Sequence, residues 1–103
     1  MLESESTRLY KNQPVPLVRD YLKEYRNKMG YSAEVLSREL DVSAVYYRQI
    51  EGGQRGKRLP IELVIKLIIL LHVDPLEFLK AEALYLSAYE DLNGIKKHKK
   101  IRW

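Results

Sequence analysis

Cysteine is absent from this 103-residue chain, which excludes a disulfide frame and a thiolate metal site. Long hydrophobic runs are missing as well. The longest apolar stretch, Leu63 to Val73, is interrupted by Lys66 and is far shorter than the ~20 residues a membrane span needs. No basic-then-apolar signal segment opens the sequence, so a cytoplasmic protein with no membrane partner is expected. Strand-like alternation and internal repeats are also lacking, which points to an all-α chain. At this length one hydrophobic core is expected, which argues against a two-domain enzyme with a cleft between domains.

The charge that is present is unevenly spread. The formal balance is +4, yet residues 95 to 103 (IKKHKKIRW) carry five basic groups and no acid, leaving 13 basic against 14 acidic groups elsewhere. Within that nearly neutral body, Ser43 to Arg58 holds Arg48, Arg55, Lys57 and Arg58 against Glu51 alone, whereas Asp74 to Gly94 holds five acids against Lys80. Local basic features on an acidic scaffold suggest that a polyanion is met on one side only.

Residues 1 to 13 lack apolar periodicity and read as a flexible arm, residues 14 to 94 as the domain, and residues 95 to 103 as a basic tail. Val18, Tyr21, Leu22, Tyr25 and Met29 recur at helical spacing, Pro16 suits a first turn and Gly30 a left-handed stop, predicting a helix over Leu17 to Met29. Ser32 caps a second helix, with Tyr31 placed to staple onto Leu36 and with Val35, Leu36 and Leu40 inward. Ser43 caps a third at once, with Val42 and Tyr47 at the same staple spacing, so only Asp41 and Val42 remain for the turn. That third helix runs from Ala44 to about Glu51, turns Tyr47 and Ile50 inward, and ends at Gly52-Gly53. After a polar, Gly-rich loop, Pro60 restarts the chain as a helix over Ile61 to His72. Asp74-Pro75-Leu76-Glu77 is a capping box, with Val73 and Phe78 as a third staple, for a fifth helix that Asn93-Gly94 ends.

Two short helices joined by so tight a turn must cross steeply, and such a pair inside a five-helix domain places one exposed helix in a DNA major groove. With Tyr47 and Ile50 inward, the outward face is Ala44, Val45, Arg48 and Gln49, the candidate base readers, with Tyr46 on the flank. Gln49 is suited to a bidentate pair with adenine and Arg48 to guanine or phosphate. Ala44 and Val45 suit thymine methyl groups. Arg55, Lys57 and Arg58, with Ser32, Ser43 and Tyr46, are the candidate backbone contacts.

Arg26, Gly30, LSRELDVS over Leu36 to Ser43, Ile50-Glu51-Gly52-Gly53 and Pro60 together resemble the phage-repressor and Cro-type helix-turn-helix (XRE) family, over roughly Leu17 to Leu79. The resemblance implies a lambda-repressor-like fold, here with an extended fifth helix. It also implies an Arg26–Glu51 pair tying the first helix to the end of the recognition helix, Ala44, Val45 and Gln49 facing bases, and a phosphate-gripping loop after that helix. Three positions depart from the pattern. Ala33 stands where the family often has a phosphate-anchoring Gln, Asp41 stands where Gly is frequent, and the loop from Gln54 to Leu59 is a couple of residues longer.

A single reading helix rarely supplies enough discrimination, so a homodimer on a palindromic operator is expected. The fourth helix is apolar on two sides, with Leu63, Leu67, Leu70 and Leu71 near one and Ile61, Ile65, Ile68 and Ile69 near another. On the fifth, Leu79, Leu86, Tyr89 and Leu92 are the candidate dimer contacts. A repressor is the leading reading. The alternatives are an antitoxin-type protein that covers a toxin partner, or a protein-interaction adaptor. His72 and His98 are too far apart in sequence for a metal site, GGQRGK follows a helix rather than a strand, and no nucleophile has a base beside it. Neither cofactor, metal nor enzymatic activity is therefore expected.

Overall fold

The computed structural model describes residues 14–54 and 58–94. The expected arm over residues 1–13, the tail over residues 95–103, and Arg55 and Lys57 lie outside the described residues. Among those described there are five helices and no strand: α1 (Asp20–Lys28), α2 (Ala33–Leu40), α3 (Ala44–Gly52), α4 (Ile61–Leu71) and α5 (Pro75–Asn93).

The local signals for starts and stops act as expected. Ser32 Oγ accepts the Val35 amide at 3.1 Å, Ser43 Oγ accepts the Tyr46 amide at 3.0 Å, and an Asp74 carboxylate oxygen accepts the Glu77 amide at 3.0 Å. Each cap satisfies an amide that has no partner within its helix. Asp41 takes the left-handed conformation that the short turn requires, with φ 63° and ψ 43°. Its amide reaches Arg38 O and the next amide reaches Ser37 O, both at 3.0 Å, the paired closure that leaves only three residues between the end of α2 and the start of α3. His72, expected as the last helical residue, instead closes α4 from the left-handed region.

The staple residues Tyr31, Val42 and Val73 pack against a core of Leu22, Leu36, Leu40, Tyr47, Ile50, Leu63, Val64, Leu67, Leu71 and Phe78. Around Phe78 the rings of Tyr21 and Tyr25 pack at 5.4 and 6.3 Å, the first edge-on and the second stacked. α3 lies against both α1 and α2, and α2 against α4.

One boundary differs from expectation. The first helix begins at Asp20, not Leu17, and residues 14–19 form a strap outside it. The reason is tertiary. The Arg19 amide donates to Glu51 O at the end of α3 (2.8 Å), Leu17 O accepts the Tyr85 hydroxyl of α5 (2.8 Å), and the Val15 amide donates to Asn93 Oδ1 (2.6 Å). The strap is thus pinned along α5 and butted against α3, and the chain winds into a helix only after these bonds are made. Val18 and Met29, which share the helical spacing of Leu22, are exposed, while Leu22 is fully buried.

Candidate nucleic-acid interface

The Ser43 cap and the Asp41 turn fix where α3 starts, and burial of Tyr47 and Ile50 fixes its rotation. What remains outside is the face expected from the sequence. Val45 is 63% exposed, Arg48 is exposed, and Ala44, Tyr46 and Gln49 are half-buried beside them. Tyr46 also packs partly against the core, so its ring lies on the flank. Ser32 and Ser43 are exposed, and each uses its oxygen as a cap acceptor, which leaves the hydroxyl hydrogen available to an outside acceptor. Arg58 is exposed.

Arg48 is ion-paired with Glu34 of α2, a contact the sequence reading missed. Both side chains are about half exposed, 53% and 54%, so the pair is worth only ~0–1 kcal/mol and an incoming phosphate or base edge can replace it. Glu34 sits next to Ala33, the position where the expected Gln is missing.

The far end of α3 is held much more firmly. Arg26 Nε and Nη2 donate to the two oxygens of Glu51 at 2.8 and 3.0 Å, Arg26 Nη1 donates to Tyr31 O at 2.9 Å, and the Tyr47 hydroxyl donates to Glu51 Oε2 at 2.7 Å. The hydrogen bond to Glu51 raises the Arg26 pKa further, partly offset by burial, so the cation persists at any working pH. The implied Arg26–Glu51 pair is therefore present as a bidentate bond.

A second grip comes from Arg19, which is fully buried. Its Nε and Nη2 donate to Glu82 Oε1 and Oε2 at 3.0 and 2.9 Å, its Nη1 donates to Ile50 O at 2.9 Å, and its guanidinium lies 4.2 Å over the Tyr85 ring. The Tyr21 hydroxyl also donates to Glu82. The helix expected over Leu17 to Met29 ran through Arg19 without giving it a role, and Glu82 was likewise passed over. The usable signal was the spacing of Phe78, Glu82, Tyr85 and Tyr89, a single inward stripe of α5 in which one carboxylate sits among aromatic rings. A carboxylate in such a stripe requires a buried partner. Among the described residues no buried side-chain nitrogen or oxygen lacks one.

Burial, followed by the hydrogen bond to Glu51, pushes the Tyr47 hydroxyl well above its ordinary pKa of 10.0, and burial with Glu82 does the same to Tyr21. In the unfolded chain both ionise near pH 10, whereas the folded state keeps their protons. Their contribution is therefore fully present below about pH 10 and is lost above it, by up to ~1.4 kcal/mol per pH unit for each tyrosine. The expected urea midpoint is flat to about pH 9.5 and then falls, with a shallower fall in Tyr47→Phe. A midpoint that holds to pH 11 would contradict the burial of these hydroxyls.

The expected dimer contacts on α5 fall into two groups. Leu79 and Leu92 are each 48% exposed, whereas Leu86 is half-buried and Tyr89 is only 5% exposed. The Tyr89 ring lies tilted, 6.1 Å from that of Tyr85, whose hydroxyl is bonded to the strap, so both rings are buried within the protomer and Tyr89 offers little to a second copy. The second apolar side of α4 is open: Ile61, Ile65 and Ile69 are 62%, 50% and 64% exposed. Among the described residues there is no grouping of His, Asp and Glu suited to a metal, and no helix long and apolar enough to cross a membrane.

A capped, outward-facing helix, a three-residue turn and a bidentate Arg–Glu brace to the first helix define a helix-turn-helix domain. A family model described as Helix-turn-helix matches residues 22–78, more than half of the chain. The chain belongs to the XRE-type helix-turn-helix family, a family of DNA-binding regulators that are typically not enzymes. No curated protein and no solved structure gives a match.

Proposed function

We propose that the chain is a sequence-specific, double-stranded DNA-binding transcriptional regulator of the cytoplasm. In this reading it is a repressor that occupies a palindromic operator as a homodimer, with half-sites about one helical turn (~10 bp) apart. The observation that carries the reading is the presentation of α3. Val45 and Arg48 stand out from it, Gln49 lies beside them, and its last turn is clamped from behind. Such a helix enters a major groove as a rigid element. Apolar contact from Ala44 and Val45 with thymine methyls, together with a Gln49–adenine pair, favours an A·T-leaning half-site. Ser32, Ser43, Tyr46, Arg55, Lys57 and Arg58 are assigned to the phosphates, which fix register and make affinity fall with salt. The homodimer is supported by Ile61, Ile65 and Ile69, which form an exposed stripe at i, i+4 and i+8 on α4, with Leu79 and Leu92 on α5 as further contacts.

Selection from random duplex DNA tests the reading. A palindromic winner is expected, and recovery of an unselected pool overturns it. On the selected site, Gln49→Ala is expected to cost ~1–3 kcal/mol and relax preference at one base pair, whereas Arg58→Ala weakens selected and random duplexes alike and flattens the salt slope. Identical losses on both duplexes for both variants would refute this division of labour.

A further inference from the structure

The family match spans residues 22–78, and among the described residues a buried ion pair joins two residues outside it, Arg19 before and Glu82 after. Their shared product is the position of the last turn of α3. Ile50 O accepts the Arg19 guanidinium and Glu51 O accepts the Arg19 amide, so two carbonyls at the C-terminal end of the helix are held by one residue. A cation at that end also suits the helix dipole. The guanidinium is in turn fixed by a two-pronged bond to Glu82 and by the Tyr85 ring, both on α5. Arg26 braces the same turn through the Glu51 side chain from α1, so α3 is tied at one end to two different helices.

We propose that Arg19 and Glu82 are positioning residues that set the angle of the reading helix by tying its last turn to α5, an inference that rests on the DNA-reading role above. Stability alone does not account for the pair. A buried ion pair is commonly replaceable by apolar side chains of similar volume without loss of stability, whereas its directional bonds are not replaceable in that way. The planar fork reaches Glu82 and Ile50 O together, which the single ammonium of lysine cannot do. A contact that moves α5 or the strap therefore moves α3.

The experiment uses the full chain and two variants, the double replacement Arg19→Met with Glu82→Leu and the single Arg19→Lys. All measurements are made well below each variant's melting temperature. Amide hydrogen exchange in the absence of DNA is expected to show loss of protection in the last turn of α3 by about tenfold relative to α2, in both variants. Titration with the selected duplex and a scrambled one is expected to show the specific-to-random affinity ratio falling by about tenfold, with the salt slope of the random complex unchanged. A purely structural pair would lower melting temperature while leaving that ratio intact in the folded variants, and an intact ratio overturns the proposal. Exchange in α3 that follows α2 in both variants overturns the tie itself. A wild-type chain that selects no duplex overturns the DNA-reading role, and this failure is distinguishable because the exchange arm needs no DNA. If the double variant fails to fold, Arg19→Lys alone carries both arms.

Discussion

Gly53→Ala is expected to destabilise the fold by about 3–5 kcal/mol, several times the effect of the same change at Gly30. Both glycines lie in the left-handed region, at φ 88° and 77°, so both substitutions incur the ~1–2 kcal/mol cost of that conformation. Around Gly30 an added Cβ meets nothing within 4 Å. At Gly53 it would stand 2.1 Å from Leu17 O and 2.6 Å from Leu17 N, both backbone atoms with no flexible end to swing aside. The strap would have to lift, and with it the bonds from Tyr85 to Leu17 O and from the Arg19 amide to Glu51 O. Urea denaturation of the two variants separates the contact from the dihedral. Equal losses would mean that the strap does not rest on the end of α3.

Glu51→Ala removes three hydrogen bonds at one site, two from Arg26 and one from the Tyr47 hydroxyl. The side chains of the ion pair are only 13% and 12% exposed, so water does not fully replace the lost acceptor. Leaving the guanidinium without its counter-charge is expected to cost about 3 kcal/mol, at the low end of the range for a broken buried pair. For a domain of this size that lowers Tm by more than ~10 °C. The backbone bond from Arg19 to Glu51 O survives the substitution, so the loss measures the Arg26 brace by itself. A Tm within two degrees of wild type would show that the second grip, through Arg19, holds the turn unaided.

These two sites also show where the sequence was legible. Caps, staples and left-handed stops act over three to five residues, and each element from Ser32 to Gly94 could be placed from such local chemistry. The outward face of α3 followed by subtraction once Tyr47 and Ile50 were assigned inward. The Arg26–Glu51 brace, 25 residues apart in sequence, came from family resemblance, since no local pattern encodes it. Arg19 had neither kind of signal. Its partners stand 31 and 63 residues away, and its neighbours Val18 and Asp20 allow an amphipathic helix to be drawn straight through it. The same strap explains why Tyr89 read as a dimer contact: in sequence nothing marks Leu17, whose carbonyl accepts the Tyr85 hydroxyl, as a neighbour of that stripe. For α4 the second apolar side was legible in part: Ile61, Ile65 and Ile69 are exposed, whereas Ile68, assigned to the same side, packs against the core, because periodicity alone does not say how far around a helix its neighbours reach.

The clasp between Val15 and Asn93 has a topological consequence. Asn93 Nδ2 donates to Val15 O at 3.2 Å while its Oδ1 accepts the Val15 amide, so residues 14 and 94 leave the folded body side by side. A linker of a few residues is therefore enough to close the segment from residue 14 to residue 94 into a ring.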